Sequence, residues 1–198
     1  MTQRLLHIIA MIAFIAYPLA VFYGVRSGRM GLWLVGACVC LLPLLYFRLR
    51  DAGQKIEQSP ELAHLRPLAF LPLITLAMLA LSAALQARGL ALATPTLINA
   101  VLLVVFGSTL RTSMPMIERF ARLIDPELND AQQRWCRQWT YVWCAFFFLN
   151  GALAAIMALW APLVWWSVYT SLLAYVLMGI LFATERIGRW FKFERSAT

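Results

Sequence analysis

The sequence predicts an all-α, polytopic membrane helix bundle, and three observations carry that prediction. Of its 198 residues, 62% are hydrophobic and 13% charged. A soluble domain is nearer half apolar and about a quarter charged. The apolar residues come in long blocks: no charge interrupts the stretch from Leu68 to Gln86. A soluble helix bundle would need a polar face there. Finally, the basic residues gather at the ends of the blocks, as the positive-inside rule expects.

The blocks give one compact domain of about six spans: 5–23, 30–47, 68–86, 90–110, 139–160 and 163–183. A polar segment, 111–138, separates the fourth span from the fifth. It holds five of the seventeen Lys and Arg and four of the nine Asp and Glu. With the N-terminus inside, the inner segments carry fourteen Lys and Arg and the outer connections three. That bias places both termini and the polar segment in the cytoplasm. It also accounts for the net charge of +8 without nucleic acid as a partner. The four cysteines, Cys38, Cys40, Cys136 and Cys144, form no CxxC pair and no disulfide framework.

The first run, about Leu5 to Tyr23, is long enough to span and is read as a retained helix rather than a signal peptide. Gly24 to Arg29 reads as a turn. The second run contains Pro43, a kink that membrane helices tolerate. In the polar loop 48–67, Ser59-Pro60 reads as the start of a short surface helix. Arg88 and Gly89 form a tight connection between the third and fourth runs; a re-entrant hairpin is the alternative to two full crossings there. The fourth run holds Thr94-Pro95-Thr96 and Asn99, with the Thr hydroxyls suited to carbonyls freed by the proline.

Within the polar segment, Ser113 and Pro115 signal a helix start. Met116, Ile117, Phe120, Leu123 and Ile124 fall on one side of that helix; Glu118, Arg119, Arg122 and Asp125 fall on the other. This reads as a cytoplasmic amphipathic helix in the headgroup region. Asp125-Pro126-Glu127 signals a second helix start, running through Arg134 and Arg137 into the fifth span. There, Thr140, Trp143, Phe147, Asn150 and Ala154 share one face, a helix–helix contact pattern. Ala161-Pro162 makes a tight turn within an aromatic belt of Trp160, Trp165 and Trp166.

Motifs for chemistry are sparse. The chain has no P-loop, GxGxxG, HExxH or GxSxG. His7 and His64 cannot build a multi-His metal site, so no metal and no cofactor are expected. No acid or base lies deep within a span, which lowers the case for ion-coupled transport. The polar residues left in the spans, Thr140, Trp143, Asn150, Tyr169 and Tyr175, read as packing contacts. At the cytoplasmic face, Glu118 and Glu185 are the candidate catalytic acids. Arg119, Arg122, Arg134, Arg137 and Arg186 are candidates for gripping a lipid headgroup or a phosphate. Membrane lipids are therefore the expected partners, and anchoring by the arginines is the competing reading.

Three stretches carry a resemblance. They are Pro115-Met116-Ile117-Glu118-Arg119-Phe120-Ala121-Arg122-Leu123; Cys136-Arg137-Gln138-Trp139-Thr140 with Trp143, Phe146, Phe147 and Asn150-Gly151; and Tyr169 with Tyr175, Leu177-Met178-Gly179, Phe182 and Glu185. Together they resemble an uncharacterised family of small bacterial inner-membrane proteins found in aryl-polyene and xanthomonadin-type pigment gene clusters. The chain departs from that pattern at Thr170-Ser171, in place of Asn-Gly, and at Thr184, in place of Gly. The resemblance implies an inner-membrane role beside acyl carrier proteins and other pathway enzymes. The expected function is a non-enzymatic component that recruits carrier proteins or the acyl product. The alternatives are a membrane-embedded acyl-transferring enzyme and an exporter of the lipid product. A ketosynthase is not expected, because its Cys/His/His site is missing.

Overall fold

The structure is a computed structural model, and it describes residues 22–24, 26–27, 71–85, 87–122 and 125–194. Most of the first two predicted spans, and the surface helix expected at Ser59-Pro60, lie outside the described residues. The described chain is helical throughout its regular structure. Helix α1 is Leu71–Ala84, α2 Arg88–Thr109, α3 Met116–Arg122 and α4 Asp130–Trp160. The last helix begins as α5, Leu163–Val168, and widens to a π-turn at Tyr169–Leu173. It continues as α6, Ala174–Arg189, and ends in a second π-turn, Trp190–Glu194. Arg26 and Ser27, expected in a turn, are helical; the Ser27 hydroxyl donates back to the Gly24 carbonyl at 3.4 Å.

Among the described residues, three helices are long and apolar enough to cross a membrane: Arg88–Thr109, Asp130–Trp160 and Leu163–Phe193. At 1.5 Å per residue, the 31 residues of α4 extend about 46 Å. The hydrocarbon core takes about 30 Å, so roughly ten residues project beyond it. The aromatic residues mark both edges. Trp160 and Trp165 are exposed at the Ala161-Pro162 turn, and Trp135 and Trp139 pack together near the other end of α4. Trp139 and Trp160 stand about 32 Å apart along the helix, close to the hydrocarbon thickness. Trp166, expected in the belt, is instead buried. It follows Trp165 by one residue, and a helix turns successive side chains about 100° apart.

The inner face of α4 is a seam. Cys136, Thr140, Trp143, Phe147, Asn150, Gly151 and Ala154 are all buried, at steps of three and four that keep one stripe turned inward. Phe106 of α2 meets it, with ring centroids 5.0 Å from Phe147 and 6.3 Å from Trp143. The opposite face is apolar and open: Phe148, Leu149, Ile156 and Leu159 are all exposed. Such a stripe suits lipid, not water.

Pro95 does not break α2. Thr94 Oγ1 donates to the Leu90 carbonyl at 3.1 Å, and Asn99 Nδ2 donates to the Pro95 carbonyl at 2.8 Å. Of the two flanking threonines, Thr94 bonds back to the helix, while the Thr96 hydroxyl is buried without a partner among the described residues. Arg88 and Gly89, expected as a connection, form the first turn of α2.

Helix α4 starts later than Asp125-Pro126-Glu127 suggests. Asn129 is its cap, paired with Gln132 in a reciprocal capping box. Asp125 Oδ1 instead accepts from the Glu127 amide at 3.3 Å, closing a local turn. Two bonds per cap outweigh the single one that Asp125 offers. From Asp130 the helix runs unbroken into the predicted fifth span, so the predicted polar segment holds its first turns.

Gly151 sets how closely α2 and α4 approach. A Cβ at this position would lie 2.9 Å from the Asn99 Cβ. That neighbour is fixed to the α2 backbone and cannot swing away. Gly151→Ala should therefore lower the thermal unfolding midpoint of the detergent-solubilised protein, by the equivalent of about 1–3 kcal/mol of overpacking. Gly179→Ala meets no atom within 4 Å and should not destabilise it. Equal midpoints for the two variants would refute the close helix approach.

Candidate functional site

Charge is confined to one end. In the stretch 87–194, eight of the nine Lys and Arg, and all six Asp and Glu, lie where α2 ends, α4 begins and the last helix finishes. Arg88 alone lies at the other end of these helices.

Helix α3 is docked at this charged end by its two long neighbours. The Met116 amide donates to Thr109 Oγ1 of α2 at 2.9 Å, and the Ile117 amide donates to Thr140 Oγ1 of α4 at 3.3 Å. The first amides of a helix need such partners. Ser113, the expected cap, is exposed, and the two buried threonines take that role instead. This docking reverses part of the amphipathic assignment. Glu118 and Arg119 are buried, whereas Phe120 is 37% exposed. Burial of the charges is possible because each has partners. Glu118 Oε1 accepts from Arg122 Nε at 3.0 Å and Nη2 at 2.8 Å. Arg119 Nε donates to the Met114 carbonyl at 2.9 Å.

Arg137 is also engaged. Its Nη1 donates to the Leu110 carbonyl at 2.9 Å, and its Nη2 to the Thr112 and Ser113 carbonyls at 3.0 and 3.1 Å. A guanidinium fork thus closes the C-terminal end of α2, where a cation is favoured by the helix dipole. Glu185 pairs with Arg189, Nε to Oε1 at 3.0 Å. Four residues bring two side chains to the same helix face. Arg189 Nη2 also reaches Cys136 Sγ at 3.6 Å, tying the last helix to α4. Nearby, Lys192 Nζ lies 4.9 Å from the centroid of the Trp135 ring.

The candidate residues therefore divide. Glu118, Arg134 and Arg137 line one polar recess of about 220 Å³ together with Ser113 and Asp130. Arg134 is exposed and makes no hydrogen bond or ion pair among the described residues. Arg122 spends its guanidinium on Glu118 and on the Pro126 carbonyl, at 2.9 Å for the latter. Glu185 and Arg186 lie on the last helix and are not among the residues lining the recess.

A second site lies within the membrane-spanning part. Asn150 Nδ2 of α4 donates to Asn99 Oδ1 of α2 at 2.9 Å, and the Tyr169 hydroxyl donates to Asn150 Oδ1 at 2.5 Å. This chain of bonds links all three long helices. Thr140 and Trp143, assigned to the same face, sit nearer the charged end: Thr140 caps α3, and Trp143 joins the aromatic core. Beside the amide chain is a cavity of about 250 Å³ between α2 and the last helix, with Asn150 and Ala154 of α4 on its wall. Tyr169, Thr170, Ala174 and Tyr175 all reach this cavity because of the π-turn. The Ala174 amide bonds to the Tyr169 carbonyl, five residues back, which brings positions 169 and 174 to one side.

Asn99 and Gly151 were not singled out as site residues, and nothing in local spacing marks the π-turn. The signal for Asn99 was a polar side chain one turn beyond an intrahelical proline. The chain matches no protein-family model, no curated protein and no solved structure.

If Arg137 is a brace rather than a headgroup ligand, its shape matters more than its charge. Arg137→Lys should cost about 1–3 kcal/mol of stability, since one ammonium cannot span the three carbonyls. Arg134→Lys should melt like the wild type. Equal stability of the Arg137 variant and the wild type would overturn the bracing role.

Proposed function

We propose that this protein is a six-span component of a bacterial inner membrane, with both termini in the cytoplasm. In this reading it serves an aryl-polyene-type pathway, related to fatty-acid and polyketide synthesis, without catalysing a step. It gathers acyl carrier proteins, or the acyl product they deliver, at its charged end. The fourteen-to-three distribution of basic residues favours this orientation, and Arg111 and Arg134 offer exposed cations to a phosphate-bearing partner.

One observation carries the non-enzymatic reading. Both candidate acids are already committed: Glu118 to Arg122 and Glu185 to Arg189, each four residues on. A general acid must be free to exchange its proton with a substrate within hydrogen-bond reach. A carboxylate whose oxygen already accepts from a guanidinium four residues away is occupied by a structural contact, which suits a brace better than an acid. The acyl-transferring enzyme stays as the second reading on one specific ground. Glu118 borders the polar recess that Arg134 and Arg137 share.

The test is a lipid-extract profile of a deletion strain complemented in turn by wild type and by Glu118→Gln. The glutamine keeps the shape and can still accept from Arg122, but it cannot carry a proton through a reaction. Both genes should restore the product equally. An enzyme using Glu118 as acid or base would lose at least about a hundredfold in rate. Loss of product at normal protein level would therefore replace this reading with the second.

A further inference from the structure

We propose that the cavity between α2 and the last helix binds an uncharged acyl carbonyl, that of a single-chain ester or amide, entering from the lipid phase. The inference does not depend on recruitment at the charged end, because it concerns a different part of the protein.

The walls state the chemistry. Ile98, Leu102, Ala154 and Met178 supply apolar surface, which suits a hydrocarbon chain. The polar groups are unevenly spent. A primary amide has two N–H groups. Asn99 uses one on the Pro95 carbonyl, and Asn150 uses one on Asn99. One N–H remains on each. Tyr175 lines the same cavity, and its hydroxyl has no partner among the described residues. Three donors are thus unspent, one N–H on each amide and the Tyr175 hydroxyl, and a ligand oxygen would complement them. Among the described residues, no Lys, Arg or His lines the cavity. An ionised carboxylate would therefore be buried without a counter-charge, which is costly in a low-dielectric site. An ester or amide carbonyl accepts the same hydrogen bonds without that cost.

Depth and size narrow the source. Asn99 lies eleven residues into α2, Asn150 ten residues before the end of α4 and Tyr169 six residues into the last helix. At 1.5 Å per residue these positions are about 9–16 Å from the end marked by Arg88 and the Ala161-Pro162 turn, within an approximately 30 Å hydrocarbon layer. The ester groups of an ordinary bilayer phospholipid remain in the interfacial region, outside that layer. A single-chain ester can bring its carbonyl to this depth. A volume of about 250 Å³ equals about eight water volumes of roughly 30 Å³ each. It accommodates the head and first carbons of a chain, with the remainder lying along the exposed apolar helix faces.

The test uses the full chain in phosphatidylcholine nanodiscs and a methyl palmitate analogue with a diazirine near the ester and a terminal alkyne. After irradiation, labelled residues are mapped by mass spectrometry. Labelling should fall within 98–102 and 169–178. Excess methyl palmitate should compete at least tenfold better than hexadecane or palmitate at neutral pH. Ile98→Trp, at a half-buried wall position, should cut labelling at least tenfold while the melting midpoint holds. Tyr175→Phe, which removes only the hydroxyl, should weaken competition by methyl palmitate about fivefold. Label spread over outward residues such as Val164 and Phe182, equal competition by hexadecane, or competition requiring added phospholipid would each overturn the assignment. So would labelling indifferent to both substitutions in well-folded protein.

Discussion

Asn150 joins the three long helices through one side chain: its amide gives a hydrogen bond to Asn99 of α2 and takes one from Tyr169 of the last helix. In water, apolar faces alone would drive helices together. In lipid they do not, because the acyl tails are as apolar as the side chains. Association then depends on polar pairing and on close backbone approach. The adjacent positions Asn150 and Gly151 supply both, one by a pair of hydrogen bonds and the other by the absence of a Cβ. Shifting either helix by one residue would separate the paired amides and carry a side chain into the gap left by the glycine. Two neighbouring residues thus set the register of α2 against α4.

The charged end follows from that register. Once α4 is fixed against α2, its Thr140 and the Thr109 of α2 stand where the first amides of α3 need acceptors. The same register brings Arg137 under the loop carbonyls that follow α2. Half of the eight basic side chains at this end therefore work inward. Arg119, Arg122, Arg137 and Arg189 each bond a carbonyl or a carboxylate within the protein. Arg111 and Arg134 are exposed and make no such side-chain bond among the described residues. A concentration of charge near a membrane can look like one binding patch, yet here half of it is scaffold.

The last three predicted spans and the continuity of α4 were legible because hydropathy is a property of long windows, insensitive to one misplaced residue. The inward face of α4 was legible for a similar reason: Thr140, Trp143, Phe147, Asn150 and Ala154 repeat at helical steps, and all five are buried. Local signals were weaker where two of them competed. Asp125-Pro126-Glu127 and Asn129 with Gln132 both describe a helix start, and a string of letters does not weigh the reciprocal pair against the single one. Helix α3 was misread at Glu118 and Arg119 because an amphipathic pattern assumes that charges seek water. It does not anticipate a guanidinium four residues on, or carbonyls bent back to meet an arginine. The π-turn leaves no trace in composition. It is a backbone response to packing, recognisable only when Tyr169 and Ala174 are found on the same side.

The cavity illustrates how these levels combine. Gly151 draws α2 close to α4, while the π-turn rotates the following residues of the last helix toward both. Close approach on one flank and widening on the other leave space between α2 and the last helix. The amides that secure the helices necessarily border that space, and each is left with a hydrogen it does not use in the helix contacts. In hydrocarbon such a hydrogen is a burden of about 1–3 kcal/mol if it finds no acceptor. An alkane chain in the cavity leaves that burden in place; a carbonyl removes it. The residues that hold the bundle together thereby make one kind of neighbour more favourable than the bulk lipid around it. Selectivity of this sort needs no charged group and no catalytic machinery, only donors fixed by structural bonds and short of one acceptor.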